Sequence, residues 1–224
     1  MKNKVEVLIL SGGKGTRLQT VVKDVPKPMA EISNKPFLEF LVNNFKRQGF
    51  HNICFLTGHK ASVIVKHFGS EYRYSHEETP LGTGGAVKQA IESSHFDRFI
   101  VINGDSFFNI DYGSFLDRTF NKFDFTIALK RMNNVERYGA VRLNDQGRII
   151  KFEEKSGSKS TESSAFINAG VYYLTKELVT SIKSGFISLD VNSICLLTSF
   201  FGIEIIELTP VVFCDVIAVI AVIA

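Results

Sequence analysis

The chain of 224 residues has no tryptophan, only three cysteines and no cluster of basic residues. Its aromatic content comes from 20 Phe and 6 Tyr, so the large apolar groups mostly lack a hydrogen-bonding tip and serve packing. Cys54, Cys195 and Cys214 are odd in number and widely spaced, which excludes a CxxC metal pair and a disulfide framework and fits a reducing cytoplasm. A secretory leader is not expected, because the apolar run at 5–10 is short and gives way at once to Gly12 and Gly13. The stretch 211–224 is apolar apart from Asp215, yet falls below the roughly 20 residues of a bilayer span. The five histidines form no HExxH or other paired metal spacing.

Charge is unevenly placed. All 26 Lys and Arg lie at or before Lys183 with 19 of the 23 acids, so that part carries +7 and the remaining 41 residues carry −4. A mildly basic body suits an anionic ligand, but without Lys/Arg clusters it is no nucleic-acid surface. Hydrophobic residues at 45% and charged residues at 22% are ordinary for a globular chain of one domain, which excludes disorder. The expectation is one main domain over 1–183, with 184–224 an atypical apolar segment completing it. The Val-Ile-Ala triplets of 216–224 match neither an amphipathic helix nor an alternating strand. Such an apolar tail leaves a homo-oligomer open.

Apolar runs predict strands at 5–10, 53–57, 72–75 and 99–103, and helical spacing predicts helices at 36–48, 61–68 and 84–93. Further strands are predicted at 123–130, 139–143, 149–153 and 168–174. His59 and His67 are read on one helix as solvated positions. The early alternation implies an α/β fold with a mostly parallel sheet covered on both faces. Ligands of such sheets sit at the carboxyl ends of the strands, here 11–17 and Gly104-Asp105.

The segment Leu10-Ser11-Gly12-Gly13-Lys14-Gly15-Thr16-Arg17, followed by Pro26-Lys27-Pro28, is the most informative. Glycines let backbone N–H groups surround phosphate oxygens, and Lys14, Arg17 and Lys27 can neutralise them. The loop has no P-loop spacing, and Leu18 stands where a dinucleotide fingerprint needs its third glycine. Taken singly, the glycines also suit an ordinary turn, Asp105 a surface turn, and Glu153-Glu154-Lys155 a solvated one.

Order along the chain carries more than any single motif. Gly13-Lys14-Gly15-Thr16-Arg17 with Pro26-Lys27 resembles the signature of the sugar-1-phosphate nucleotidylyltransferases. Pro80-Leu81-Gly82-Thr83-Gly84-Gly85-Ala86, Asn103-Gly104-Asp105, Arg137-Tyr138-Gly139, Phe152-Glu153-Glu154-Lys155 and Asn168-Ala169-Gly170-Val171-Tyr172 follow in family order. Within the family, the chain resembles the bacterial guanylyltransferases of D-glycero-D-manno-heptose 1-phosphate. The resemblance implies a Rossmann-like three-layer sandwich of the nucleotide-diphospho-sugar transferase type. It also implies a Mg²⁺-dependent enzyme that joins GTP to a sugar 1-phosphate, releases pyrophosphate and supplies surface polysaccharide synthesis. By the same resemblance Ser11, Gly12, Gly13, Gly15, Thr16, Gly82, Thr83 and Gly84 hold the nucleotide. Arg17 meets the departing phosphates, Lys27 the α-phosphate, and Asp105 the metal. Gly139, Glu154, Lys155 and Asn168 form the sugar-phosphate pocket. A second metal carboxylate falls at Asp215 of Phe213-Cys214-Asp215-Val216-Ile217, although the triplets follow it where the family has a polar helix. Mannose 1-phosphate and glucose 1-phosphate stay open as alternative sugars, and a non-catalytic nucleotide-sugar-binding protein is the rival of another class.

Overall fold

The computed structural model describes residues 1–13, 25–132, 140–145, 149–153, 165–181 and 203–207. In chain order it contains β1 (Glu6–Leu10), β2 (Glu31–Ile32), β3 (Lys35–Pro36), α1 (Phe37–Arg47), β4 (Ile53–Thr57), α2 (Ala61–Phe68), β5 (Arg73–His76), α3 (Gly82–Glu92) and β6 (Arg98–Asn103). Then follow α4 (Tyr112–Thr119), β7 (Phe125–Met132), β8 (Ala140–Leu143), β9 (Ile149–Glu153), β10 (Ala165–Thr175), α5 (Lys176–Ser181) and β11 (Ile203–Glu207). Strand order in the main sheet is β11-β7-β10-β6-β1-β4-β5, with β8 against β10 and β9 against β8. The pairs β1–β4, β1–β6, β4–β5 and β11–β7 are parallel, while β10 runs antiparallel to both β6 and β7. The fold is therefore the α/β sandwich that the alternation predicts.

Nearly every inner-strand residue is apolar because both faces are covered. Val7 and Ile9 of β1, Phe55 of β4, and Ile100 and Ile102 of β6 enter one core with the apolar side of α1 and with Tyr112, Phe115 and Leu116 of α4. Leu8, Cys54, Leu56, Phe99 and Val101 alternate into the other core, against Val87, Ala90 and Ile91 of α3 and Leu178 and Val179 of α5. At the amino ends of the strands, Glu6 is 3% exposed and receives both Arg73 Nε at 2.7 Å and Arg73 Nη2 at 2.8 Å, with the Ser94 hydroxyl at 2.7 Å. This charge is buried with a bidentate partner, the arrangement that burial of a carboxylate demands.

Several sequence expectations are corrected. The helix at 61–68 begins after His59, so His59 and His67 do not share a helix. The apolar pattern predicts no element where the structure has α4, α5 and β11. Of these, β11 places part of 184–224 in the same sheet, in register with β7 from Phe125 to Leu129. Among the described residues, no helix is long and apolar enough to cross a membrane.

Candidate functional site

From β1 the chain builds β4 and β5 on one side and then crosses to β6 on the other, so the connection order reverses between β1 and β6. A crevice opens outside the carboxyl ends of strands at such a point. Leu10 is in register with Asn103, which sets the loop after β1 beside Gly104-Asp105. The Gly104 N–H donates to the Leu10 carbonyl at 2.9 Å, and a Cβ on Gly104 would lie 2.5 Å from that oxygen. Only glycine allows the two strand ends to come this close.

Around them lies an open cleft of about 860 Å³, within the size range of small-molecule sites. Gly12 and Gly13 form one wall, Gly82 and Thr83 at the start of α3 another, and Asn103, Gly104 and Asp105 the end of β6. Ser11 is buried behind them. Its hydroxyl donates to the Leu56 carbonyl at 2.8 Å and its N–H to the same oxygen at 2.9 Å, so this residue ties β1 to β4. A Cβ on Gly12 would meet Glu77 Oε1 at 2.8 Å and the Gly58 nitrogen at 3.0 Å. The Gly12 carbonyl accepts the His59 N–H at 3.3 Å.

Asp105 is the centre of the charged end. Lys27 Nζ donates to Asp105 Oδ2 at 2.6 Å, and the Ser106 hydroxyl donates to Oδ1 at 3.1 Å. Lys27 starts a 3-10 turn, Lys27–Met29, held by the buried Pro28 and Met29, so its backbone is anchored. The two charged side chains are 27% and 36% exposed. No group of three or more His, Cys, Asp or Glu that could hold a metal occurs among the described residues. Asp105 nevertheless offers hard oxygen donors and already engages a cation. A carboxylate of this kind fits Mg²⁺, which commonly takes one or two carboxylates and fills its octahedron with phosphates and water.

The structure brings Gly12, Gly13, Gly82, Thr83 and Asp105 to one cleft, with Lys27 on Asp105. It leaves three predicted residues outside that lining, Ser11, Gly84 and Asn168, of which Ser11 is buried with its hydroxyl spent on Leu56. Gly84 is buried within α3, and Asn168 is engaged in β10, where its Nδ2 donates to the Tyr172 hydroxyl at 2.7 Å and its Oδ1 accepts the Gly170 N–H at 2.8 Å. Burial pushes the Tyr172 hydroxyl up to about 12, so it stays neutral and hydrogen-bonded. Gly15, Thr16, Arg17, Gly139, Glu154, Lys155 and Asp215 lie outside the described residues.

Glu77 and His59 also line the cleft, and the sequence motifs single out neither as a site residue. Glu77 Oε2 accepts the Leu81 N–H at 3.0 Å just before α3, and its N–H donates to the Thr57 carbonyl at 2.9 Å, so it joins β4 to the start of α3. The signal that could have found it is position: Glu77 directly follows β5, at the ligand edge of the sheet, three residues before Pro80. The arrangement presents backbone amides and a helix amino end to an anion and a carboxylate to a cation.

Comparison with known proteins agrees with this geometry. The family model described as Nucleotidyl transferase matches residues 6–191. The D-glycero-alpha-D-manno-heptose 1-phosphate guanylyltransferase of Campylobacter jejuni is 41% identical over 179 residues, covering 78% of this chain and 77% of that protein. The protein of the same name from Aneurinibacillus thermoaerophilus is 41% identical over 180 residues, covering 78% and 76%. The crystal structure of HddC from Yersinia pseudotuberculosis complexed with GMP-PN superposes with a TM-score of 0.77 at 31% identity, covering 91% of this chain and 90% of that one.

Proposed function

Because the chain belongs to the nucleotidyl transferase family, we propose that it transfers GMP from GTP to a D-glycero-D-manno-heptose 1-phosphate, forming GDP-heptose and releasing pyrophosphate. The observation that carries the activity is the meeting of Lys27 and Asp105 beside the Gly12-Gly13 turn, at the switch point of the sheet. The choice of heptose and guanine follows the names of the two relatives at 41% identity, and the bound GMP-PN of the HddC structure supports a guanine nucleotide.

In the reaction an oxygen of the sugar phosphate attacks the α-phosphorus, a new P–O bond forms, and the bond from the α-phosphorus to the bridging oxygen breaks. Pyrophosphate leaves with that electron pair. Such a transfer needs alignment and charge neutralisation more than a covalent group. The amides of Gly12 and Gly13 and the amino end of α3 flank the nucleotide, with Gly15, Thr16 and Gly82 to Gly84 as further contacts in this reading. Lys27 neutralises the α-phosphate and Arg17 the departing pyrophosphate. Asp105, with Asp215, would hold Mg²⁺, which supplies a Lewis acid on the phosphate oxygens. Gly139, Glu154, Lys155 and Asn168 are assigned to the sugar phosphate. The pairing of β11 with β7 supports taking 184–224 as part of the catalytic domain.

The test is pyrophosphate release from the protein, Mg²⁺, GTP and heptose 1-phosphate, with mannose 1-phosphate and glucose 1-phosphate run beside it. Release that is fastest with the heptose and GTP is expected. Tight GTP binding with no release from any pairing would replace the enzyme with a binding protein.

A further inference from the structure

Both oxygens of Asp105 are engaged. Oδ2 accepts the Lys27 ammonium at 2.6 Å and Oδ1 accepts the Ser106 hydroxyl at 3.1 Å. A divalent cation arriving alone therefore meets a carboxylate whose charge the Lys27 ammonium already compensates, is repelled by that ammonium, and brings no anion for Lys27 in exchange. A triphosphate changes this balance, because it offers Lys27 another anion at the same place. The Lys27 backbone is fixed by the turn at Lys27–Met29, whereas its four-carbon stem can swing the ammonium from carboxylate to phosphate.

We propose that Lys27 keeps Asp105 closed to a free divalent cation, so that metal enters this site together with the triphosphate that draws Lys27 away. The inference rests on the reading of Asp105 as the metal carboxylate and adds an order of events to it. It makes metal and nucleotide strongly coupled ligands. By linkage, the factor by which nucleotide tightens metal binding equals the factor by which metal tightens nucleotide binding. It also gives Lys27 a role in the resting enzyme that is distinct from its role toward phosphate.

The readout is Mn²⁺ binding followed by water-proton relaxation, with no sugar phosphate present and therefore no turnover. Wild-type protein should bind Mn²⁺ weakly alone and tightly with GTP. Lys27→Met and Lys27→Gln should bind Mn²⁺ without GTP at least about fivefold more tightly than wild type, the lower end of ordinary coupling between sites. Lys27→Arg, which keeps the cation, should stay closed. Adding Asp105→Asn to Lys27→Met should remove the gain. A smaller gain in both neutral variants, with GTP-dependent binding intact in wild type, overturns the latch and leaves Asp105 as a metal ligand. Undiminished GTP-dependent Mn²⁺ binding in Asp105→Asn alone overturns the metal assignment, and the latch falls with it. Circular dichroism of each variant confirms that folded protein is compared.

Discussion

At Gly104 one hydrogen atom in place of a methyl group decides where β6 ends. The methyl of Gly104→Ala would lie 2.5 Å from the Leu10 carbonyl oxygen and 3.3 Å from its carbon, and both are backbone atoms in the middle of the sheet. Overpacking of this kind costs about 1–3 kcal/mol, and urea unfolding of Gly104→Ala should show a loss in that range. GTP affinity should fall with it, since the same contact sets Asp105 beside the β1 loop. Asp105→Asn separates chemistry from folding. Its carboxylate is 36% exposed and carries no core packing, so pyrophosphate release should drop by roughly a hundredfold or more while the thermal midpoint moves little. Cys54 behaves in the opposite sense. Burial pushes its thiol up to about 12, so at about pH 8 it is the neutral, unreactive form. Mass mapping after iodoacetamide at that pH should find Cys54 unmodified in native protein and alkylated once urea unfolds it; native alkylation at the rate of an open thiol would contradict the buried placement.

Among the elements, those with a dense apolar pattern are legible in the sequence and the sparser ones are not. The residues of α2 match the predicted span, and β4 and β9 do as well, because each has an uninterrupted pattern between clear stops. By contrast α4 places Gly113, Ser114, Asp117 and Arg118 among its eight residues and α5 has only six, so neither shows an apolar pattern that stands out from the neighbouring loops. For α4 a signal does exist in Asp111, whose carboxylate accepts the Ser114 N–H at 3.1 Å and the Ser114 hydroxyl at 2.7 Å. Those hydrogen bonds, the hydroxyl first, hold the Asp111 carboxyl below its ordinary range. A depressed folded value gives stability that is present above the unfolded pKa and lost as pH falls through the folded one. Asp111→Ala should therefore cost about 1 kcal/mol near neutral pH, and the difference from wild type should shrink in urea titrations below about pH 4. A difference independent of pH would rule out the charged cap. The strand β11 is hidden for another reason: its partner β7 lies far back in the chain, and long-range pairing leaves no local signature.

Across the whole molecule, the sheet order makes the site. Strands β1 and β6 are far apart in the chain and become parallel neighbours because the crossover after β5 returns beside β1. That return places the Gly12-Gly13 turn, Lys27 and Asp105 around one opening, with the amino end of α3 across from them. Much of this is legible, because the glycine turn and Gly104-Asp105 each follow an apolar strand and the carboxyl ends of parallel strands share one edge of the sheet. How the side chains spend their hydrogen bonds is not. Ser11 carries a hydroxyl suited to phosphate but uses it on Leu56, and Asn168 uses its amide on Tyr172 and Gly170. Glu77 belongs to no motif, and its part shows only in its hydrogen bonds to Thr57 and Leu81, which join β4 to the start of α3.

The most direct test is a crystal structure of the protein with a non-hydrolysable GTP analogue. The account predicts the guanosine between the Gly12-Gly13 turn and the start of α3, with the α-phosphate within hydrogen-bond reach of Lys27 Nζ and the triphosphate beside Asp105. An analogue bound elsewhere, with Lys27 and Asp105 both far from its phosphates, would contradict it.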